Sequence, residues 1–281
     1  MNKIALITGS TRGIGRSIAE KLAQKNYIVI ITGKSVSDTE GVQGDIYSVA
    51  RNINELYGKG DVAVPLYLDL RDSQSIDKIS ELVKYEYGKV DVLVNNASAM
   101  WWADLSNTPV KKYDLINSVN SRGTYLISRS IAPLMPSGGH IITHSPPLDY
   151  HSLHSYLNGG MKNMIGYMVS KLGMSLVASG LAQELQEKGV ASNCIWPSTA
   201  IESAAMRDNK LISSKFNNPR LWRKPDIIAD MVNELVQEPP EFTNNFLIDE
   251  SYLRSKGYRD FSCYQSVPGF EPPKLAELLK A

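Results

Sequence analysis

Tyr167 and Lys171 lie four residues apart in the segment GYMVSKLGMS, so a helix through it sets both side chains on one face. A phenol beside an ammonium is a proton-transfer pair, because the positive charge favours the phenolate and draws a tyrosine pKa from about 10 toward neutrality. Such a phenol gives a proton to a carbonyl oxygen during reduction and takes one from an alcohol during oxidation. The same spacing recurs at Tyr85/Lys89 and Tyr252/Lys256. Only Tyr167/Lys171 follows a candidate strand ending in a hydroxyl residue, Ser145, and opens a long helical pattern.

A second chemical signal is TGSTRGIG, from Thr8 to Gly15, directly after an apolar run and before an amphipathic stretch. Gly9, Gly13 and Gly15 allow positive φ and close approach of backbone to a bulky polyanion. The helix that follows aims free N–H groups and its positive dipole end at phosphate. Gly9, Ser10, Thr11, Arg12, Gly13, Ile14 and Gly15 are therefore the candidate dinucleotide cradle. The second apolar run ends in IITGKS, with Lys34 where a ribose-binding acid could have stood, and Arg12 can swing toward the same ribose. Two cations and no adjacent acid favour NADP(H) over NAD(H). Asp38, a few residues on, is the nearest opposing charge.

These residues need a scaffold. Candidate strands are Lys3–Thr8, Tyr27–Thr32, Ala63–Asp69, Val90–Asn95, His140–Ser145, Ala191–Trp196 and Asn245–Ile248. Helical patterns lie between them, near Gly15–Lys25, Asp45–Leu56, Asp72–Tyr87, Val110–Leu134, Ile165–Glu187 and Pro225–Gln237. Runs such as IALI and VDVLV suit strands buried on both faces, hence parallel pairing with helical crossovers. The expected fold is α/β, a single Rossmann-type doubly wound parallel sheet of about seven strands flanked by helices, with ligands at the strands' carboxyl ends. Residues 1–250 would form this unit, and 251–281 an irregular extension packed on its surface.

Composition narrows the function classes. The 281 residues are 43% hydrophobic and 21% charged, which excludes a disordered chain. Lys+Arg 30 against Asp+Glu 29 leaves +1, so no overall field draws the chain to nucleic acid or an anionic membrane. Two lone cysteines, Cys194 and Cys263, fit reduced thiols and a cytoplasmic location. No signal-like stretch or run of about 18 apolar residues is evident. His140, His144, His151 and His154 cluster, but no cysteine or carboxylate pair completes a ligand set, so no metal is expected.

Taken in order, TGSTRGIG, Asp69, NNAS (Asn95–Ser98), Asn120 in SVNSRGTY, Ser145, Tyr167/Lys171 and Pro197 resemble the short-chain dehydrogenase/reductase superfamily over about residues 1–250. That resemblance implies that Ser145 hydrogen-bonds the substrate oxygen and Tyr167 exchanges its proton. Lys171 would bind the nicotinamide ribose and tune Tyr167, while Asn120 would hold a water in the proton relay. Asp69 and Leu70 would face the adenine. Asn95, Asn96, Ala97 and Ser98 would line the cofactor, as would Pro197, Thr199 and Ile201 beside the carboxamide. HSPPLDY, WPSTAIESAAM, RKPDIIAD and NNFLIDES are similar to the hydroxysteroid dehydrogenase-like subgroup. Animal members of that subgroup can carry a sterol-carrier domain, for which this chain is expected to leave no room.

Three departures from the family pattern stand out. Asn-Asn-Ala-Ser replaces Asn-Asn-Ala-Gly, Pro197-Ser198 replaces Pro-Gly, and Ser145 precedes Tyr167 by 22 residues, a longer gap than the family's usual one. The extra segment, residues 146–160, would form a lid or wall over the substrate or displace Ser145. Met100, Trp101 and Trp102 are candidates for an apolar pocket wall. The expected activity is NADP(H)-dependent hydride transfer between nicotinamide and a carbonyl or secondary alcohol, on an apolar or lipid-derived small molecule. The alternatives are an NADP(H)-binding sensor or scaffold with little turnover, and lipid carriage without chemistry. By resemblance, the two longest helical patterns form the interface of a homodimer or homotetramer.

Overall fold

A computed structural model describes residues 2–37, 44–58, 60–207 and 217–278; Asp38 lies outside them. The strands are β1 (Ile4–Ile7), β2 (Ile28–Gly33), β3 (Ala63–Tyr67), β4 (Val92–Asn95), β5 (His140–His144), β6 (Ala191–Trp196), β7 (Ala200–Ile201), β8 (Trp222–Arg223) and β9 (Phe246–Ile248). Seven of them form one sheet in the order β3-β2-β1-β4-β5-β6-β9, paired in parallel throughout. The strand order reverses between β1 and β4, which opens a crevice at their carboxyl ends.

Burial on both faces explains the apolar runs. Alternate residues of β1 serve opposite layers: Ala5 and Ile7 join one core cluster, Ile4 and Leu6 the other. The first layer is closed by α1 (Gly13–Gln24), α2 (Ile46–Tyr57) and, later in the chain, the helix Asp226–Leu235. The second is closed by α3 (Ser73–Tyr87) and by the stretch expected as one helix near Val110–Leu134. That stretch is α4 (Val110–Asn117) and α5 (Gly123–Ile131), joined by a π-helical turn at Ser118–Arg122. The wider turn carries Asn120, fully buried; insertions of this type often mark functional positions.

After β5 comes the extra segment. Asp149 accepts hydrogen bonds from the Ser152 N–H and hydroxyl, starting α6 (Tyr150–Ser155), which runs into a second π turn at Tyr156–Gly160. Then α7 (Ile165–Glu184) carries Tyr167 and Lys171. Among the described residues it is the one helix long and apolar enough to cross a membrane, where the sequence reading expected none. Here it packs against β5, β6 and the π turn of Asn120, with Tyr167, Lys171, Met174 and Ala178 on its buried face.

The remaining helices are α8 (Ala204–Arg207), α9 (Asp226–Leu235), α10 (Asp249–Ser255) and α11 (Leu275–Leu278). The expected irregular tail is more ordered than that. The boundary near residue 250 falls inside α10, whose Tyr252 and Leu253 join Phe261 and Tyr264 in the first core layer. Antiparallel bridges tie Lys274 to Thr199 and Gln265 to Arg223, so the extension buttresses the loop after β6. Arg223, fully buried, pairs with Glu250 and Glu271, and Lys274 also pairs with Glu250.

Candidate active site

The glycine turn sits where β1 meets α1. Gly9 (φ 66°) and Gly13 (φ 53°) occupy the left-handed region that favours glycine. A Cβ on Gly15 would stand 2.4 Å from the Gly9 carbonyl oxygen and 2.5 Å from Asn96 Nδ2, so this glycine is required by the turn's own packing. A Cβ on Gly13 would meet nothing nearer than Ser203 at 3.8 Å, which leaves its face open. No side chain caps the first turn of α1 and no acid lies in it, so its N–H groups keep their capacity for an anion. An open Gly13 face at an uncapped helix start fits a dinucleotide pyrophosphate. Arg12 and Lys34 are exposed beside it.

Several cradle residues act through structure. The Ser10 hydroxyl donates to the Ile7 carbonyl (3.0 Å) and accepts from the Thr32 N–H (2.8 Å), fully buried. Asn96 Nδ2 donates to the carbonyls of Thr8 (3.0 Å) and Gly9 (3.1 Å), fastening the loop after β4 to the turn. The Thr8 hydroxyl accepts from the N–H groups of Asn96 and Ala97, both at 3.0 Å. Asn95 is buried between α5 and β5, donating to Ser128 Oγ at 2.9 Å. Thr11 and Ile14 are half-buried on either side of Arg12. Asp69 lies two residues past β3 and holds Arg71, whose guanidinium keeps the carboxyl below its ordinary range. Leu70 is buried in the second core layer, against Gly123.

At the reaction end, Asn120 acts as a bracket. Its Oδ1 accepts from the Ala99 N–H (2.8 Å), and its Nδ2 donates to the Ala99 carbonyl (3.0 Å) and Ser170 Oγ (2.9 Å). Ser170 in turn donates to the Tyr167 carbonyl at 2.7 Å. The loop after β4 and the first turn of α7 are thus held at a fixed separation. Tyr167 packs with Met100, Trp101, Trp102, Met161 and Met164, its ring 6.0 Å from that of Trp102. Tyr156, Met161 and Met164 come from the extra segment and its junction with α7, which therefore forms a wall beside Tyr167.

One expectation changes. Lys171 does not lower the Tyr167 pKa. Its ammonium donates to the His144 carbonyl and lies 5.6 Å from the Trp196 ring. Burial pushes the Tyr167 phenol up, opposed by a hydrogen bond with Ser98. Burial also pushes Lys171 down to about 7. Tyr167 is therefore a neutral phenol at physiological pH. Ser145, for its part, is fully buried, and its hydroxyl donates to Cys194 Sγ at 3.3 Å. Its N–H donates to the Ile195 carbonyl at 3.1 Å, so the chain stays alongside β6 for one residue past β5.

Past β6, Pro197 and Thr199 are buried, and Ile201 lies in β7 beside β8. The N–H of Ser198 donates to Asp249 Oδ1 at 2.8 Å, and Asp249 is itself fully buried. Asp249 was not among the candidates from sequence; its one signal is an acid directly after the last apolar strand, at the ligand edge of the sheet. Cys194, read as a reduced thiol, is free and accepts from the Ser145 hydroxyl, and burial pushes it up to about 12. His140 is buried and His144 half-buried, and desolvation pushes them down to about 4 and about 3, while His151 and His154 are exposed on α6. Among the described residues no group of three or more His, Cys, Asp or Glu could hold a metal ion.

A family model described as short chain dehydrogenase matches residues 3–211. Hydroxysteroid dehydrogenase-like protein 2 of Mus musculus is 38% identical over 265 residues, covering 94% of this chain and 51% of that protein. The chain thus spans about half the length of that relative. A short chain dehydrogenase from Mycobacterium thermoresistibile superposes with a TM-score of 0.84 at 34% identity, over 97% of this chain and 93% of the other. A short chain dehydrogenase from Burkholderia cenocepacia, solved in complex with NADP, gives 0.72 at 25% identity, over 88% and 95%.

Proposed function

Because the chain belongs to the short-chain dehydrogenase family, we propose that it is an NADP(H)-dependent oxidoreductase interconverting an apolar carbonyl compound and its secondary alcohol. Bound NADP(H) supplies or accepts the hydride at nicotinamide C4. The observation that carries the reading is the position of Tyr167: a neutral phenol walled by Met100, Trp101, Trp102, Met161 and Met164. It stands across the loop after β4 from the glycine cradle.

In this reading the first turn of α1 and Arg12 hold the pyrophosphate, and Lys34 meets the ribose 2′-phosphate. Asp69 and Leu70 border the adenine. Ala97, Ser98, Pro197, Thr199 and Ile201 line the nicotinamide half, and Asn96 holds that lining against the cradle. Lys171 swings from the His144 carbonyl to the nicotinamide ribose. Tyr167 gives its proton to the carbonyl oxygen during reduction and recovers one during oxidation. A phenol that burial keeps protonated is a ready proton donor, which suits reduction. Asn120 sets the loop and α7 at the separation the reaction needs, beside the proton path. The apolar walls suit a hydrophobic substrate. Exposed Val110, Tyr113, Tyr125, Val169 and Leu176 on α4, α5 and α7 support association as a homodimer or homotetramer.

One observation favours a second reading, an NADP(H)-responsive sensor with little turnover: the Lys171 ammonium is engaged by the His144 carbonyl. Fluorescence titration with NADPH and NADH, followed by a panel of apolar aldehydes and ketones, separates the two. Tighter NADPH binding with reduction of panel members is the expected result. Tight binding with no turnover supports the sensor, and lipid binding indifferent to NADPH supports a carrier.

A further inference from the structure

The C-terminal extension reaches the apolar wall through a two-residue strand. Trp222 and Arg223 make up β8, and successive side chains of a strand point to opposite faces. Trp222 is buried with Ala200 and Met206, and this cluster packs on Met100 and Trp102. Those two residues also belong to the wall around Tyr167, with the Trp102 ring 6.0 Å from the phenol ring. β8 therefore turns one side chain to the wall and the other to the extension.

Arg223 is fully buried, and both of its acidic partners come from beyond β9. Its Nη1 donates to Glu250 at 2.9 Å and its Nη2 to Glu271. The second Glu271 oxygen accepts from Gln265 Nε2 at 3.1 Å, and Gln265 itself forms a backbone bridge to Arg223. Further backbone bonds carry the clasp to both ends of the β7–β8 pair. The Ser266 N–H donates to the Trp222 carbonyl (3.2 Å), the Lys224 N–H to that of Tyr264 (2.7 Å) and the Leu275 N–H to that of Ser198 (2.8 Å). Strands of two residues are too short to hold a position by their own pairing. The place of Trp222 therefore depends on the extension.

We propose that Arg223 and Glu271 are positioning residues for the substrate pocket. Their ion pair holds Trp222 against Met100 and Trp102, and so limits the size of the carbonyl compound admitted beside Tyr167. The assignment rests on the oxidoreductase reading and deepens it. Neither residue touches the reacting atoms; both act through Trp222. A guanidinium held between two carboxylates fixes direction as well as distance, because its donors form a rigid fork. Glu271 is exposed, and without its charge the buried guanidinium still keeps Glu250, so this acid can be changed with the fold retained.

Two arms test the assignment. The first is reduction of cyclohexanone and of the bicyclic ketone 2-decalone with NADPH, read as the ratio of their kcat/KM values. Trp222→Leu should move that ratio toward 2-decalone by about 10- to 100-fold, because the wall recedes. Glu271→Gln should move it the same way by about 3- to 10-fold, through KM rather than kcat, with NADPH affinity within about twofold. Glu271→Asp, which keeps the charge, should recover most of the parent ratio. Glu277→Gln, at another exposed acid of the extension, should keep it. A ratio unmoved in Glu271→Gln, or moved toward cyclohexanone, would overturn the proposal, as would a loss confined to kcat. The second arm needs no turnover. With 5-fluorotryptophan in place of tryptophan, the Trp222 resonance, assigned by its loss in Trp222→Leu, should shift in Glu271→Gln while that of Trp196 holds. A Trp222 resonance that stays in place would overturn it. A parent protein inert to both ketones would count against the oxidoreductase reading, while the fluorine arm would still decide whether Glu271 positions Trp222.

Discussion

Replacing Lys171 with methionine should make the protein more stable while removing its turnover. Burial lowers the Lys171 pKa from 10.5 to about 7, a downward shift whose first cause is desolvation. At about 1.36 kcal/mol per unit, the folded state carries a penalty on the order of 5 kcal/mol for holding this charge. Methionine has a similar unbranched shape and no charge, but it leaves the His144 carbonyl without its donor, which costs about 1–3 kcal/mol. The net gain is roughly 3 kcal/mol, or about 6–12 °C in Tm for a chain of this size. The pH dependence is the sharper signature. Between about pH 7 and 10.5 the unfolded chain keeps a proton on Lys171 that the folded one releases, so parent stability from this group rises with pH. The variant lacks that rise. Its advantage should be full at and below pH 7 and shrink as the pH is raised toward 10.5. Thermal and urea unfolding of both proteins at pH 6, 7, 8 and 9 measures the gap, and contributions common to both cancel. A variant less stable than the parent at pH 6, or a gap that does not change with pH, would refute the reasoning.

Other outcomes follow from the same geometry. Lys34→Asp should weaken NADPH binding by about 10- to 100-fold, through loss of a charge-assisted contact, with NADH binding nearly kept; equal loss for both would mean general damage. Gly15→Ala forces a Cβ within 2.5 Å of Asn96 Nδ2, so it should cost about 1–3 kcal/mol of stability and weaken both dinucleotides. An unchanged Tm would contradict the tight turn. Acid should unfold the protein in two ranges. His140, pushed down to about 4, withdraws support as pH falls from 6.5 toward 4. Glu250, held near 2 against the pull of burial by Lys274, Arg254 and Arg223, contributes fully above 4.5 and loses its contribution as pH falls toward 2. A denaturation midpoint flat from pH 7 to 3.5 would contradict both.

Much of the scaffold was readable because its signals are local. The IALI strand, the glycine turn after it and the amphipathic helix beyond follow one another within 24 residues. The seven expected strands of the main sheet all form, within one to two residues at most ends. What was not readable depends on distant partners. The direction of the Ser145 hydroxyl is set by Cys194, 49 residues away, and no spacing rule reaches that far. Lys171 was expected to serve Tyr167 one helical turn away, but a carbonyl 27 residues earlier holds it. The bracket of Asn120 on Ala99 and Ser170 joins three segments at once. β7 and β8 have two residues each, too few for any periodic pattern, and the pairing of Thr199 with Lys274 links a loop to the far end of the chain.

The central claim is that Tyr167 carries the proton. Steady-state reduction of the carbonyl panel by Tyr167→Phe, with NADPH affinity measured alongside, tests it most directly. The account predicts a fall in kcat of about 10²- to 10⁴-fold with cofactor binding nearly unchanged. Turnover equal to the parent's, with the phenol gone, would contradict it.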